Sequence, residues 1–191
     1  MGLIEPLCII QARYNSTRLA GKMLLKLGDD TLIKWAVRRA RLGFADNVVV
    51  AIPAKDSDGL LGDELRRIGA KVFAYRGPET DVLGRFWECA HLYRWHPDSV
   101  IVRWTPDDPF KDLVAVMRVV DGERLPVEQG AEAFTLAMLD AAQASTPFDS
   151  PHREHITHAI FPTPPPRPPV GEVWTIDTQA DYEAACKRYG A

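Results

Sequence analysis

Cysteine is scarce in this chain. Its three cysteines, Cys8, Cys89 and Cys186, are odd in number, far apart and form no C-x-x-C pair. A disulfide scaffold is therefore not expected, and the thiols read as reduced and buried in a cytoplasmic protein. No stretch approaches the roughly 18 apolar residues of a membrane span, so no membrane partner is expected. Residues 1–6 carry no cationic segment, and the apolar run at 7–10 is too short for the core of a signal peptide. Neither sign of charge dominates: the formal net charge is −3 over 191 residues. That balance argues against a general nucleic-acid partner. The phosphate-binding patterns G-x-x-x-x-G-K-[ST] and G-x-G-x-x-G are both missing, as is H-E-x-x-H.

The remaining composition is that of an ordinary soluble protein, 46% hydrophobic and 26% charged. The length suits a single domain over residues 1–191, with a core large enough to need no disulfide or metal. Residues 7–10, Leu-Cys-Ile-Ile, form a short apolar run of the kind buried on both faces of a parallel sheet. Residues 31–42 carry apolar side chains at helical spacing: Leu32, Ile33, Ala36, Val37, Ala40 and Leu42. A second strand at 48–52, a helix around Leu60–Ile68, a strand at 71–75, a helix at 82–95 and a strand at 99–104 follow. Leu113, Val116, Val119 and Val120 mark another helix. Strands alternating with helices predict βαβ units, and hence a three-layer α/β/α fold around a mostly parallel sheet. Beyond this, residues 131–144 read as a helix. Residues 152–160 read as a short helix, with Ser150 as N-cap and Pro151 at N1. The proline-rich stretch at 162–169 predicts an extended surface connection. Residues 172–176 read as a last strand, and 178–189 as a closing helix.

In open parallel sheets, ligands bind at the carboxyl ends of the strands. The segment that follows the first strand, Gln11-Ala12-Arg13-Tyr14-Asn15-Ser16-Thr17-Arg18-Leu19-Ala20-Gly21-Lys22, has three cations and no acid between Arg13 and Lys22. Two hydroxyls and a glycine accompany them. Such a loop suits a polyphosphate, because arginine forks onto phosphate oxygens and lysine supplies a compact charge. Composition alone is equally compatible with a solvated loop whose cations serve solubility.

The pattern Ile-Ile-Gln-Ala-Arg-x-x-Ser-Thr-Arg-Leu-x-Gly-Lys at 9–22 resembles the opening signature of the cytidylyltransferase family. That family includes CMP-sugar synthetases for acylneuraminate and 3-deoxy-manno-octulosonate, and a spore-coat polysaccharide biosynthesis branch. The resemblance implies a Rossmann-like nucleotidyltransferase fold and a nucleoside triphosphate, CTP, as partner. It implies that Gln11, Ala12, Arg13, Ser16, Thr17, Arg18 and Lys22 contact the nucleotide. Asp81-Val82-Leu83-Gly84-Arg85 resembles the branch's D-V-L-x-R, which places Asp81 and Arg85 near the nucleoside. Read without the resemblance, Asp81 is a helix N-cap and Arg85 an exposed first-turn residue.

Arg103-Trp104-Thr105-Pro106-Asp107 resembles the family's R-x-T-G-D, with Pro106 in place of glycine. Asp107 falls on the metal-binding position; Asp107, Asp108 and Asp112 also suit turns and caps. Asp177, in a segment that resembles the family's V-D-T-x-x-D-Y, is the second implied ligand for Mg2+ or Mn2+, or else a cap of the last helix. Arg18, Lys22 and Asp107 are the implied catalytic residues. Arg153-Glu154-His155-Ile156-Thr157 resembles the branch's R-E-H-V-T and implies contact of Arg153, Glu154 and His155 with a sugar. His152, His155 and His158 recur every third residue, a spacing that drifts around a helix and converges poorly on a metal. The chain is shorter than relatives around residues 120–126 and near the proline run, which weakens the sugar half of the resemblance. The implied activity is CMP transfer from CTP to a sugar in polysaccharide or glycan biosynthesis. A sugar-nucleotide-dependent glycosyltransferase and a nucleotide-binding protein without turnover are the alternatives. The resemblance leaves a homodimer open.

Overall fold

The computed structural model describes residues 5–125, 131–163 and 175–189. Strand β1 is Leu7–Gln11, with its first four residues buried, as the apolar run requires. A short antiparallel ribbon, β2 (Lys26–Leu27) and β3 (Asp30–Thr31), leads into helix α1 (Leu32–Phe44). Thr31 caps α1, its side chain accepting from the Lys34 amide, and the apolar stripe Ile33-Ala36-Val37-Ala40 faces the sheet. Then come β4 (Val48–Pro53), α2 (Leu60–Arg67), β5 (Val72–Tyr75), α3 (Val82–Tyr93), β6 (Val100–Trp104) and α4 (Leu113–Val120). Strand β7 (Glu132–Thr135), α5 (Leu136–Ser145), α6 (Ile156–Ile160) and α7 (Gln179–Tyr189) complete the described elements.

Among the described residues the main sheet has the order β5-β4-β1-β6-β7, parallel except for β7, which runs antiparallel to β6. Alternate residues of each strand feed two cores. Cys8, Ile10, Val50, Val102 and Trp104 pack with α1, α2 and α4 on one face. Leu7, Ile9, Val49, Ala51 and Ile101 pack with α3, α5 and α6 on the other. The expected three-layer α/β/α architecture is therefore present. Ile10 is fully buried, so Ile10→Ala would remove about 2–5 kcal/mol of stability. No described helix is long and apolar enough to cross a membrane.

The structure corrects the expected helix at 131–144, which begins instead as strand β7. Glu132 and Phe134 alternate inward against β6, in register with Arg103 and Ile101. Thr135 then ends the strand and caps α5, accepting from the Met138 amide at 3.2 Å. The short helix at 152–160 is split into a 3-10 turn, Pro151–Arg153, and α6; Ser150 does cap the turn. Of the expected last strand, residues 172–174 lie outside the described residues, and 175–177 are not strand. The proline run lies outside them from residue 164 onward.

A third apolar cluster joins Leu27, Leu32, Ile176 and Ala185, flanked by Trp35 and Tyr182. The Tyr182 hydroxyl donates to the Lys26 carbonyl at 2.6 Å, and the Trp35 indole to the Leu27 carbonyl at 2.8 Å. This cluster fixes α7 and the segment before it beside the loop that follows β1.

Candidate active site

The loop from Arg13 to Lys22 leaves the carboxyl end of β1 and is anchored at both ends. The Tyr14 amide donates to the Asp56 carboxylate at 2.8 Å, tying the loop to the turn after β4. At the other end Gly21 adopts φ 65°, a left-handed conformation that costs glycine little. A Cβ there would meet nothing closer than 3.8 Å, so backbone conformation rather than space demands the glycine. The turn starts a 3-10 helix, Lys22–Leu24, pinned by the buried Met23. Lys22 is thereby aimed inward, and its side chain is only 12% exposed.

The Lys22 ammonium donates to Asp107 Oδ2 at 3.0 Å, Asp177 Oδ1 at 3.1 Å and the Ile176 carbonyl at 3.1 Å. Arg18, 65% exposed, reaches Asp177 Oδ2 at 2.9 Å. The two aspartates are brought together by one backbone bond, from the Ile176 amide to the Asp107 carbonyl at 2.8 Å. Asp177 follows the stretch expected as a last strand; the described residues place it on an irregular segment held by that bond and the third apolar cluster. Gln11, Ala12, Arg13, Ser16, Thr17, Arg18 and Lys22 all line one concave pocket of ≈180 Å³, and Arg103 and Asp107 stand on its other wall.

Asp108 and Asp112 play the turn and cap roles open to them. Asp108 accepts from the Phe110 amide and pairs with the buried Lys111 at 3.4 Å, and burial pushes its carboxyl above the ordinary value. Asp112 caps α4 through the Val114 amide.

Asp81, Arg85, Arg153, Glu154 and His155 do not line this pocket. Asp81 caps α3 through the Gly84 amide at 3.0 Å, as its sequence position suggests. It also accepts from the Tyr75 hydroxyl at 2.5 Å and Arg153 Nε at 2.7 Å. Burial acts to raise its pKa, but the Arg153, Tyr75 and Gly84 bonds outweigh it and hold the carboxyl below its ordinary value. Gly84 has no room for a side chain: a Cβ would lie 2.3 Å from Asp81 Oδ2. The expectation of an exposed Arg85 is overturned. Its side chain is buried on α3, one guanidinium nitrogen donating to the Glu79 carbonyl at 2.5 Å while Nε has no partner among the described residues. A first-turn position does not by itself mean exposure: Val82 to Phe86 are all buried.

Asp81, Arg153 and Glu154 line a second pocket of ≈270 Å³ together with Phe148 and Ser150. Glu154 joins it to the first, because Arg13 donates to Glu154 at 3.3 Å. His155 is exposed and lines neither pocket. His152 and His158 have ring centroids 5.5 Å apart, yet no group of three or more metal-ligating side chains converges among the described residues. The Asp107–Asp177 pair is an all-oxygen donor set already facing a cation. That suits a hard ion such as Mg2+, which takes one or two carboxylates and completes its shell with substrate phosphates.

Two residues escaped the sequence reading as site residues. Arg103, the penultimate residue of β6, lines the pocket and donates to Gln11 Oε1 at 3.1 Å. Glu132 on β7 pairs with Arg103 from behind. The available signal was an arginine next to the end of a strand, two residues before Thr105 and four before Asp107.

A sequence model described as cytidylyltransferase matches residues 7–121. The chain belongs to the cytidylyltransferase family. An uncharacterised protein of Methanocaldococcus jannaschii is 31% identical over 168 residues, which are 82% of this chain and 67% of that protein. The spore coat polysaccharide biosynthesis protein SpsF of Bacillus subtilis is 40% identical over 111 residues, 56% of this chain. The chain spans less than half of that protein, 44% of its length. Among solved structures, a cytidylyltransferase from Leptospira borgpetersenii superposes with TM-score 0.76 at 27% identity, covering 95% of this chain and 84% of that one. The fold is thus the Rossmann-like nucleotidyltransferase fold.

Proposed function

We propose that the chain transfers CMP from CTP to a sugar and releases pyrophosphate, in polysaccharide or glycan biosynthesis. The observation that carries this reading is Lys22, held between Asp107 and Asp177 at the carboxyl end of β1 with Arg18 beside it. The family and the likeness to a polysaccharide biosynthesis protein support the choice of nucleotide and acceptor.

In this reading a sugar hydroxyl oxygen bonds to the α-phosphorus of CTP, the bond to the bridging β-oxygen breaks, and pyrophosphate leaves. Arg13, Arg18 and Lys22 hold the β- and γ-phosphates and meet the charge that builds on the leaving group. Ser16, Thr17 and the loop amides orient the phosphates. Asp107 and Asp177 would hold Mg2+ or Mn2+, which when bound supplies positive charge to the phosphate oxygens. Lys22 keeps the two carboxylates close together until then, which lowers the reorganisation needed. Rate enhancement comes from placement and preorganised charge, which suffices for this chemistry. The pocket lined by Asp81, Phe148, Arg153 and Glu154 takes the sugar, joined to the nucleotide pocket through Arg13. His155, exposed and outside that pocket, is not given a role in binding.

The test is pyrophosphate release from CTP with Mg2+ over a panel of sugars, with Arg18→Ala as the control. Sugar-dependent release that falls strongly in the folded mutant is expected. A fully active Arg18→Ala protein would remove the proposed role of the loop. Release of a free nucleotide from a sugar nucleotide would point instead to a glycosyltransferase.

A further inference from the structure

The pocket assigned to the sugar is poor in hydrogen-bond donors. Four of the residues that line it use their backbone amides in local turns: Asp81 donates to the Pro78 carbonyl, Ser150 to Pro147, Arg153 to Ser150 and Glu154 to Pro151. Pro78 and Pro151, also on its wall, have no amide to give. Among the described residues Arg153 is the one cation that lines it, and that guanidinium is already engaged. Its Nε donates to Asp81, and its two terminal nitrogens donate to the Thr146 carbonyl and the Gln143 side chain.

The pocket is rich instead in free acceptors. Asp149 is exposed on its wall, and its carboxylate has no partner among the described residues. Glu154 accepts from Arg13 through Oε1 at 3.3 Å, and its Oε2 has no partner among them. In the proposed function Arg13 turns to the phosphates, so CTP binding leaves Glu154 more exposed as a negative charge. Phe148, 70% exposed, lies 5.4 Å from the Arg153 guanidinium and adds an apolar wall.

A ligand that suits this pocket brings donors and no negative charge. A carboxylate or phosphate would be set against Asp149 and Glu154, with no free cation to meet it. Sugar hydroxyls donate to carboxylates, and an ammonium does so with the opposite charge. The C–H face of a pyranose finds the Phe148 ring. We infer that the acceptor is a sugar without an acidic group, an amino sugar or a neutral one, and that Phe148, Asp149 and Glu154 set this preference. The inference rests on the assignment of this pocket to the sugar.

The experiment is saturation-transfer NMR on the intact chain with glucosamine, N-acetylglucosamine, N-acetylneuraminate and 3-deoxy-manno-octulosonate. Each is titrated alone and again with CMP and MgCl2; CMP has no pyrophosphate to lose, so nothing is transferred during the measurement. The better of the two non-acidic sugars is expected to bind at least about tenfold more tightly than either sugar acid. Phe148→Ala should abolish the signal from the sugar ring protons. Asp149→Asn should weaken glucosamine at least about threefold more than N-acetylglucosamine. Tighter binding of a sugar acid overturns the inference and leaves the pocket standing as a sugar site. Silence from every sugar overturns it too, as does a wild-type response in either variant, because this pocket is then not where a sugar binds. Pyrophosphate release from CTP is a separate readout. A chain that binds the non-acidic sugars here yet releases no pyrophosphate supports the inference and removes only the transfer reading.

Discussion

The Lys22 cluster and the Asp81 cluster are both made of opposite charges, and they differ in how completely those charges are consumed. Around Asp81 the pair with Arg153 is sealed, with side chains 5% and 8% exposed. Each guanidinium nitrogen of Arg153 is engaged: besides the bond to Asp81, it gives hydrogen bonds to the Thr146 carbonyl and the Gln143 side chain. Around Lys22 the partners are partly wet, and Arg18 is mostly exposed. A carboxylate that already has three fixed donors has little to gain from a ligand. A lysine balanced between two part-exposed carboxylates can exchange them for phosphate at small cost. The contrast separates charge that holds the fold from charge available for chemistry.

The comparison is sharpest if each cluster is damaged in turn. Asp81→Asn should remove about 3–5 kcal/mol of stability, because it leaves the Arg153 guanidinium buried without its counter-charge; urea unfolding measures it. Asp107→Asn should act in the opposite manner. Pyrophosphate release should fall at least about 100-fold, equivalent to about 2.7 kcal/mol of barrier, with the urea midpoint little changed. An Asp107→Asn protein that unfolds as readily as Asp81→Asn would erase the distinction.

Acid titration gives a smaller effect whose sign follows from the Asp81 shift. Its folded pKa lies below the unfolded one, so its contribution is fully present above the unfolded value and is lost as pH falls through the folded value. Stability of the wild-type chain should therefore drop below about pH 4, the ordinary aspartate range, with a steeper slope than in Asp81→Asn. Parallel slopes would contradict the assignment. The smallest effect is on Arg18. Its ion pair is largely solvated, so Arg18→Ala should change unfolding free energy by less than about 1 kcal/mol while weakening CTP binding.

The parts of the site that were legible in the sequence are those carried on one continuous segment. From Gln11 to Lys22 every contact to the pocket follows from one strand end and one loop, and seven of the residues named for it line the same cavity. Asp107 was legible for the same reason, as the loop after β6. Long-range closure was less legible. Asp177 reaches Asp107 through one backbone bond and an apolar cluster that no local pattern announces. Strand β7 was hidden because its four residues run straight into α5, and its cap residue is also its last strand residue. With β7 unseen, Glu132 could not be placed behind Arg103. Arg85 shows the same limit: a place in the first turn of a helix does not say whether another element covers it.

Titration of CTP against the wild-type chain and against Lys22→Met tests the central claim most directly. If Lys22 is the cation that trades two carboxylates for the polyphosphate, the folded variant should bind CTP at least about thirtyfold more weakly. Wild-type affinity for CTP in a folded Lys22→Met protein would contradict it.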